Sequence, residues 1–413
     1  MAHARRPPEE VPAVRELRRR NLEEGGLFWT DDGELCVFDP EAAQRINAAN
    51  FADLTLPDRL VDVLRGRQSR PVSWKSLRTA WTAQLRTISG AAGVEQLAAR
   101  MKRLLEGRLG PRLDLVWTIQ QVCTRALVPV VIDGLTARDA ERVLRDQDMK
   151  LARLVKATSA PKSRWMQLQE TWIQVAAGLA VRRELRGRAR GRRPRRSDMT
   201  DPVVDMLPEL GMDRAVDAVT TVLTAIAGPP GAAAAALLYE LTTRPDWEER
   251  LTSELCRIPP DRLYAAPLKA APVTHRFVKE VLRVWSPPLL MTRPVRTEME
   301  LGGIHLEPGQ RYILSTFSIH HDPRHWEDPE RFDPDRWLPG EDAQGCPYVP
   351  FGWSPKSCLG AGLGTVQMIL LAWLACTRFR VRLADPEGVG MLLAAVPLPT
   401  DFEGTIERRT ATI

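Results

Sequence analysis

The chain has 413 residues, of which 44% are hydrophobic and 27% are charged, and its formal net charge is +6. This composition is typical of a soluble globular protein with a sizeable core, and it excludes a disordered or low-complexity chain. The length would suffice for two or three ordinary domains, or for one large domain over residues 1–413 with a flexible segment at residues 1–26.

The cysteines and the N-terminal residues indicate the cellular compartment in which the protein is expected. The six cysteines are widely separated and include no C-x-x-C pair, which predicts reduced thiols in a cytoplasmic protein. They are Cys36, Cys123, Cys256, Cys346, Cys358 and Cys376. Residues 1–10 lack the apolar region of a signal peptide, and no stretch offers about 18 uninterrupted apolar residues. We therefore expect no membrane anchor.

The N-terminal part predicts a small β-region followed by helices. Leu27–Trp29 and Leu35–Phe38 flank a turn, a pattern that predicts a β-hairpin. Asp39 and Pro40 then open a helix. From about residue 79 to residue 195, the spacing of apolar residues predicts helices throughout, with breaks at glycine and proline.

Much of the positive charge lies in one arginine-rich stretch, residues 182–196. Its glycines and proline predict a solvated, flexible loop between helices. The alternatives are a surface for an acidic partner or for nucleic acid. The stretch contains no aromatic residue for base stacking, which argues against nucleic acid.

A long central helix is predicted over about residues 212–242. Gly228, Pro229, Pro230 and Gly231 interrupt it, and a proline inside a helix costs about 3 kcal/mol because it lacks an N–H and clashes with the preceding turn. The helix must therefore kink or open here. The alternative is that these four residues form a loop between two separate helices.

Charged and histidine motifs follow the central helix. Glu280 and Arg283 lie three residues apart on one helical face, where alone they would form an ordinary surface ion pair. Arg331 stands within a Pro-Glu-Arg-Phe tetrapeptide. The adjacent His320 and His321 point to different faces, so they make a poor chelating pair and are interpreted as structural.

A turn-rich loop, residues 350–360, carries Cys358 and leads into an apolar helix predicted from Leu359. Cys358 would lie at a helix N-terminus, where N–H groups and the helix dipole stabilise a thiolate. Lys356 adds a positive charge for the sulfur or for an anionic group of a cofactor, and Phe351 would pack over the cysteine and exclude water. A lone cysteine is more often a small core residue, so Cys358 alone is weak evidence for a metal ligand.

Together, these motifs resemble the cytochrome P450 haem-thiolate family in order and spacing. The family's loop has the pattern F-x-x-G-x-R/H-x-C-x-G, from which this chain departs at Ser354 and Lys356. The resemblance implies a mainly α fold with small β-sheets, the cytochrome P450 fold, in a single domain. It also implies that the cofactor is haem b and that Cys358 is its metal ligand.

The same resemblance implies roles for further residues. The buried cluster that supports the loop below the haem would consist of Glu280, Arg283 and Arg331. The cofactor-binding residues, several of them at the propionates, would be Trp74, Arg78, Arg293, His321, Phe351, Gly352, Lys356 and Gly360. The substrate pocket would include Leu223, Ala227, Leu290, Met291, Val396 and Leu398, with residues 51–70 as a variable loop over it.

The central helix departs most from the family, which usually carries an A-G-x-D/E-T motif whose acid and alcohol deliver protons during oxygen activation. Aligning the Ala-Gly pair puts Pro230 and Gly231 at those two positions. Counting back from the helix end puts Gly228 and Pro229 there, so neither alignment supplies the pair. The candidates for the distal catalytic region, including the nearest hydroxyl, are Thr224, Gly228, Pro229, Pro230 and Gly231.

These features predict a soluble, bacterial monooxygenase that oxidises an apolar or aromatic natural product, free or carrier-bound, in a secondary-metabolite pathway. Its oxygen activation would be atypical, with protons supplied by substrate or ordered water. One alternative is an enzyme that uses peroxide, couples aromatic rings or rearranges its substrate; another is a non-catalytic haem protein that recruits or senses. We expect a monomer that uses ferredoxin and ferredoxin reductase, or peroxide, and binds neither nucleic acid nor membrane.

Overall fold

The computed structural model of the protein describes residues 6–50, 74–155, 163–340 and 345–409. In chain order, the helices are α1 (Pro12–Glu24), α2 (Pro40–Ala49), α3 (Trp74–Ile88), α4 (Ala91–Glu106), α5 (Leu115–Val131), α6 (Ala137–Val155), α7 (Arg164–Ala189), α8 (Asp201–Asp205), α9 (Leu207–Ile226), α10 (Pro229–Thr242), α11 (Pro245–Leu255), α12 (Pro260–Ala265), α13 (Pro267–Ala270), α14 (Pro272–Val284), α15 (Thr316–His320) and α16 (Ala361–Thr377). The strands are β1 (Glu9–Glu10), β2 (Leu27–Trp29), β3 (Glu34–Val37), β4 (Leu113–Asp114), β5 (Met291–Pro294), β6 (Met299–Leu301), β7 (Ile304–Leu306), β8 (Arg311–Leu314), β9 (Phe379–Leu383), β10 (Gly390–Leu393), β11 (Pro397–Thr400) and β12 (Glu403–Arg408). A 3-10 helix covers Pro334–Trp337. The predicted fold class, mainly α with small β-sheets, is confirmed.

Internal contacts divide the chain into two compact units. Unit 1 comprises residues 1–52, 98–122 and 229–413, and unit 2 comprises residues 53–97 and 123–228. The boundary between the units falls within α4 and within α5. A single domain over residues 1–413 stays a prediction, and the variable loop at 51–70 lies outside the described residues.

The largest sheet of unit 1 has the strand order β2-β3-β8-β5. The antiparallel pairing of β2 with β3 is the predicted N-terminal hairpin. Successive side chains alternate between the two faces of this sheet, so Leu35 and Val37 enter one core cluster while Cys36 and Ile313 enter another. β5 pairs antiparallel with β8 and thereby fixes the position of Arg293.

Two apolar helices form the interior of unit 1. In α10, every residue from Gly231 to Leu241 is buried. In α16, every residue from Thr365 to Cys376 is buried. A helix that is apolar on all sides is stable in water only when neighbours surround it, which explains the position of both. The core helix that we predicted from Leu359 is α16, and it begins two residues later, at Ala361.

A strand and a helix occupy part of the N-terminal segment that we expected to be flexible. β1 pairs in parallel with β10. In α1, the buried Asn21 donates to Asp322 Oδ2 at 3.4 Å, and Arg324 Nη2 donates to the Asn21 carbonyl at 3.2 Å. These contacts hold α1 against the region after α15, which the amphiphilic, arginine-rich sequence of α1 did not reveal.

One stretch of the described chain, Leu207–Thr242, is long and apolar enough by composition alone to cross a membrane. Its threonines, glycines and prolines interrupt the apolar run, so we had not counted it among the uninterrupted apolar stretches. Within its most apolar 18-residue window, 61% of the residues are buried inside the protein, as in a core helix.

The arginine-rich stretch in unit 2 is not the flexible loop that we predicted. α7 continues to Ala189, so the first half of the stretch is helical. Arg188 is fully buried and donates to Glu184 at 2.9 Å and to Asp198 at 2.7 Å. Burying a guanidinium is costly unless carboxylates compensate its charge, and Glu184 and Asp198 do so here.

Candidate functional site

The cysteine loop closes on itself through backbone hydrogen bonds. The Cys358 N–H donates to the Phe351 carbonyl at 2.7 Å, and the Gly352 N–H donates to the Val349 carbonyl at 2.9 Å. Gly352 has φ 72°, a conformation that glycine adopts without strain. Gly360 is the N-cap of α16, so the thiol lies just before the helix, as the sequence predicted.

Cys358 differs from the cysteines of the core. Burial raises the pKa of Cys36, Cys123 and Cys376 to about 12, which suits inert, uncharged thiols. Cys358 is solvent-exposed and forms no disulfide. A Cβ at position 360 would make only an ordinary van der Waals contact with the Cys358 sulfur, at 3.9 Å. The thiol is therefore accessible to a metal.

Positive side chains gather beside the loop in unit 1. Lys356 Nζ donates to the Asn50 carbonyl at 2.6 Å, and Arg293 Nη1 donates to Asn47 Oδ1 at 2.9 Å. Asn47 in turn donates to the Trp353 carbonyl at 3.0 Å, which ties Arg293 to the loop. Burial, with the charges of Arg293 and Arg296, lowers the pKa of Lys356 to about 8.

This group of cations would be stabilised by an anion. The groups to which Arg293 and Lys356 donate, the Asn47 side chain and the Asn50 carbonyl, carry no charge. An accessible thiol next to cations that repel one another is the arrangement that a haem needs for its iron and its propionates. The residues present therefore fit haem b.

A buried ion pair supports this region from α14. Glu280 and Arg283 are both fully buried, and Arg283 Nη2 lies 2.8 Å from Glu280 Oε1. Arg283 also donates to the carbonyls of His320, Pro329 and Arg331, at 2.9, 2.8 and 2.9 Å. One carboxylate cannot accept from all five N–H groups of a guanidinium, so backbone carbonyls accept from the others.

The third member of the cluster is Arg336, and our assignment of Arg331 was wrong. The Arg331 side chain is 66% exposed and pairs with Asp333, and only its carbonyl faces the cluster. Arg336 is buried and its Nε donates to Glu280 Oε1 at 3.1 Å. Trp337 Nε1 donates to the other oxygen of Glu280 at 3.0 Å.

The sequence contains a second candidate for the third member of the cluster. The order proline, acid, arginine, aromatic occurs twice in succession, at residues 329–332 and 334–337. The second copy begins the 3-10 helix Pro334–Trp337, which turns Arg336 inward. We assigned Arg331 from its place in the family resemblance, and the pattern alone does not say which copy lies in a turn.

His320 connects the buried cluster to the cysteine loop, a role that sequence reasoning missed. The Val349 N–H donates to His320 Nε2 at 2.9 Å. Because Nε2 accepts, the proton must lie on Nδ1, which is 3.2 Å from the Arg283 carbonyl and donates to it. Burial lowers the pKa of His320 to about 3, so the ring is neutral. One neutral imidazole thus joins α14 to the start of the loop.

His321 lies apart from this bridge. Its ring packs against Phe317 with centroids 4.1 Å apart, and its Nδ1 is 3.0 Å from the Phe317 carbonyl. Burial lowers the pKa of His321 well below its ordinary value. These contacts agree with the structural interpretation, and the propionate contact stays a prediction.

The predicted Trp74 and Arg78 lie on α3 of unit 2. Arg78 is half-buried, and its carbonyl accepts from the Thr82 hydroxyl at 2.8 Å. The side chain of Trp74 is outside the described part of the structure. Their role at a propionate stays a prediction.

The central helix is interrupted at Ala227 and Gly228, one residue before the four residues that the sequence suggested. α9 ends at Ile226 and α10 begins at Pro229. Pro229 and Pro230 occupy the first turn of α10, where the missing N–H groups cost nothing. The residues 228–231 therefore form neither a distorted continuous helix nor a loop, since the break is confined to Ala227 and Gly228.

Neighbouring side chains form hydrogen bonds with the Thr224 hydroxyl and with the Ile226 carbonyl, both close to the expected distal site. In unit 2, the Thr224 hydroxyl donates to the Thr220 carbonyl at 2.8 Å and accepts from Lys150 at 2.9 Å. The Ile226 carbonyl, which cannot bond to Pro230, accepts from the Thr124 hydroxyl at 3.2 Å. These bonds make Thr224 a poor proton donor to a substrate.

Position 231 packs closely against α5 in unit 1. A Cβ on Gly231 would lie 2.8 Å from the Gln120 Cα, a distance that real contacts do not reach. An alcohol side chain at this position would therefore collide with the α5 backbone. Of the two alignments, the one that puts the family's alcohol at Pro229 is compatible with this packing.

The predicted pocket residues are buried in their own units. Leu223 and Ala227 are buried in unit 2. In unit 1, Val396 and Leu398 are buried and Leu290 packs against the cluster of Ile313. The Leu289 N–H donates to the Ala395 carbonyl at 3.1 Å, which joins the segment of Leu290 and Met291 to the turn before β11. Substrate contact by all six stays a prediction.

A sequence model of the family described as Cytochrome P450 matches residues 160–396 of this chain. Human cytochrome P450 3A5 is 28% identical over 176 residues, 41% of this chain and 33% of that protein. Rat thromboxane-A synthase is 35% identical over 150 residues, 35% of this chain and 28% of that protein. The chain thus aligns with about a third of the length of these curated relatives. Both are mammalian, so they do not support the expected bacterial type.

Solved structures agree in fold. A zebrafish cytochrome P450 solved with progesterone superposes with a TM-score of 0.77 at 17% identity, over 96% of this chain and all of that one. A cyanobacterial cytochrome P450 with bound retinoic acid also gives a TM-score of 0.77, at 16% identity, over 98% of this chain and all of that one. The cysteine loop, the Glu280–Arg283 pair and the match over more than half of the sequence lead to one conclusion: the chain belongs to the cytochrome P450 family.

Proposed function

We propose that this protein is a haem-thiolate oxidoreductase, a monooxygenase in which Cys358 ligates the iron of haem b. The observation that carries the proposal is the accessible Cys358 thiol beside Arg293 and Lys356, on a loop supported by the buried Glu280. Haem b supplies the redox chemistry of the family. The protein contributes the ligand, the cations that neutralise the propionates and the hydrogen bonds that hold the loop.

The proposed substrate is an apolar or aromatic natural product of a bacterial secondary-metabolite pathway in the cytoplasm. The pocket candidates in unit 1, among them Leu290, Met291 and Val396, are apolar, which favours such a ligand. Two proteins of similar fold were solved with progesterone and with retinoic acid, whose skeletons are mostly hydrocarbon. The abundance of Arg over Lys suggests a GC-rich genome and is the support for a bacterial source.

We also propose that oxygen activation is atypical. No side-chain acid or alcohol stands between Ala225 and Gly231. Thr224, the nearest alcohol before them, is already bonded to Lys150. Protons would therefore come from the substrate or from ordered water. The same observation favours the second candidate, an enzyme that uses peroxide or rearranges its substrate and needs no such protons.

The ligand assignment is tested by the Cys358→Ser variant. We expect the red-shifted band of the ferrous–CO complex to disappear while far-UV circular dichroism stays unchanged. Cys256→Ser, at another exposed cysteine, is the matched control and should keep the band. A Cys358→Ser protein with the normal band would exclude Cys358 as the ligand.

The oxidant is tested by product mass. The haem-loaded protein is incubated with a metabolite extract of its source, with ferredoxin, ferredoxin reductase and air in one arm and with peroxide alone in the other. A product heavier by one oxygen in the first arm alone supports a monooxygenase whose protons come from the substrate or from ordered water. A product with peroxide alone, or one lighter by two hydrogens, supports the second candidate, and no product in either arm supports a non-catalytic haem protein.

A further inference from the structure

Within unit 2, Lys150 on α6 reaches across to α9. Its Nζ donates to Asp146 Oδ2 on its own helix at 2.6 Å and to the Thr224 hydroxyl on α9 at 2.9 Å. An ion pair four residues apart on a helix is usually a solvated surface pair of little consequence. Here the Asp146 side chain is only 4% exposed and that of Lys150 only 18%. Withdrawing an ammonium group from water is costly unless its N–H groups find acceptors.

One hydrogen-bond donor of Lys150 has no acceptor in the described part of the chain. An ammonium group has three N–H groups, and Asp146 and Thr224 accept from two of them. Around the Thr224 hydroxyl, α9 presents an open face, because Thr221, Thr224 and Ala225 are all exposed and lie on one side of the helix. The third N–H of this partly buried lysine, next to an exposed helical face, is available to a bound molecule.

The charges around Lys150 decide which chemical group it binds. The ammonium group and the Asp146 carboxylate neutralise each other at 2.6 Å. A second cation at this part of α6, Arg125 from α5, is likewise paired, with Asp148 at 2.8 Å. A carboxylate or phosphate bound at Lys150 would therefore leave a net negative charge in a partly buried place, which is costly. A carbonyl or hydroxyl oxygen accepts the same hydrogen bond without adding that charge.

We propose that Lys150, held by Asp146 and Thr224, is a specificity-determining residue that donates a hydrogen bond to a neutral oxygen of the substrate. The substrate then combines an apolar skeleton with a carbonyl or hydroxyl group, and is neither a plain hydrocarbon nor a carboxylic acid. This inference rests on the proposed function, because it takes Thr224 to lie beside the bound substrate, as the family resemblance implies. Asp146 is a positioning residue, since it fixes the ammonium group and cancels its charge.

Imidazoles with an alkyl tail test the proposal without knowledge of the substrate. The imidazole nitrogen coordinates ferric haem iron, so each probe binds the haem-loaded full chain and shifts its Soret band. The tails increase in length and end in a methyl, a carboxamide or a carboxylate group. At one tail length, we expect the wild-type protein to bind the carboxamide probe about tenfold more tightly than the methyl or the carboxylate probe.

Two variants separate the charge of this site from its hydrogen bond. Asp146→Asn keeps the shape of the side chain but leaves Lys150 without a counter-charge, so the preference should change to the carboxylate probe. Lys150→Met alone would leave a buried carboxylate unpaired, so it is combined with Asp146→Asn. This double variant should lose the preference for the carboxamide probe. Lys102→Met, at an exposed lysine of α4 in unit 1, is the matched control and should keep the wild-type preference.

The red-shifted ferrous–CO band is recorded first, because protein without this band would refute the proposed function, and this inference with it. With the band present, a wild-type protein that binds the methyl probe at least as tightly as the carboxamide probe at every tail length would overturn the proposal. So would a double variant that keeps the carboxamide preference, since another group would then be the donor. A wild-type preference for the carboxylate probe would also overturn it, because the site would then recognise an acid.

Discussion

At the scale of single residues, the position of Arg336 changes what the buried cluster predicts. Arg336→Ala leaves the buried Glu280 with one guanidinium instead of two, so we expect a loss of about 2–4 kcal/mol in the free energy of unfolding. Arg331→Ala removes an exposed side chain and should cost less than about 1 kcal/mol. Urea unfolding and the fraction of haem-loaded protein measure both. Equal losses in the two variants would contradict the assignment of Arg336.

A second prediction at this scale concerns pH and His320. Burial lowers the pKa of His320 to about 3 from its ordinary 6.5, so the unfolded chain binds a proton that the folded chain does not. The free energy of unfolding should therefore be fully retained above pH 6.5 and fall as the pH drops towards 3. His320→Gln removes this titration, so its unfolding free energy should depend less steeply on pH between about 6.5 and 5, above the carboxylate range.

The same variant tests the bridge between α14 and the cysteine loop. A glutamine that fails to reach the Val349 N–H leaves a buried donor unpaired, at a cost of about 1–3 kcal/mol. Part of the ferrous–CO band should then shift to shorter wavelength because the loop holds Cys358 less firmly. His305→Gln, at an exposed histidine, is the control. A variant with the wild-type slope and the wild-type band would show that His320 is only a core residue.

At the scale of elements, the start of α10 depends on the absence of a side chain. A Cβ on Gly231 would lie 2.8 Å from the Gln120 Cα, so Gly231→Ala must push α10 away from α5. We expect a loss of about 1–3 kcal/mol, despite the better helix propensity of alanine. Gly178→Ala in α7 is the control, because its Cβ would meet only a methyl group at 3.9 Å. It should be neutral or stabilising. A Gly231→Ala variant as stable as the wild type would contradict the close packing of α10 on α5.

Elements also differ in how far the sequence predicts them. The hairpin of β2 and β3 was predictable because its alternation and its turn are local. The break before Pro229 was predictable in kind, but its exact place was not, since a proline can end one helix or begin the next. The choice between Arg331 and Arg336 was beyond the sequence, because it depends on whether a residue falls in the 3-10 helix at 334–337.

At the scale of the whole molecule, a few residues suffice to indicate the family, but they do not indicate the substrate or the oxidant. The roles of Cys358, Glu280 and Arg283 were predictable only because their motifs together resemble those of the cytochrome P450 family, since each motif alone is common. The role of His320 was hidden, since adjacent histidines carry no signal about which ring accepts from a backbone N–H 29 residues away.

The division into two units raises the question of whether they unfold together. The boundary falls within α4 and within α5, so unfolding of one unit alone would break hydrogen bonds in the middle of two helices. We therefore expect one transition in urea, with the same midpoint for haem absorbance, which reports on Cys358 in unit 1, and for far-UV circular dichroism, which reports on all helices. If absorbance were lost at a lower urea concentration than helicity, unit 1 would unfold first, and residues 1–413 would not be a single domain.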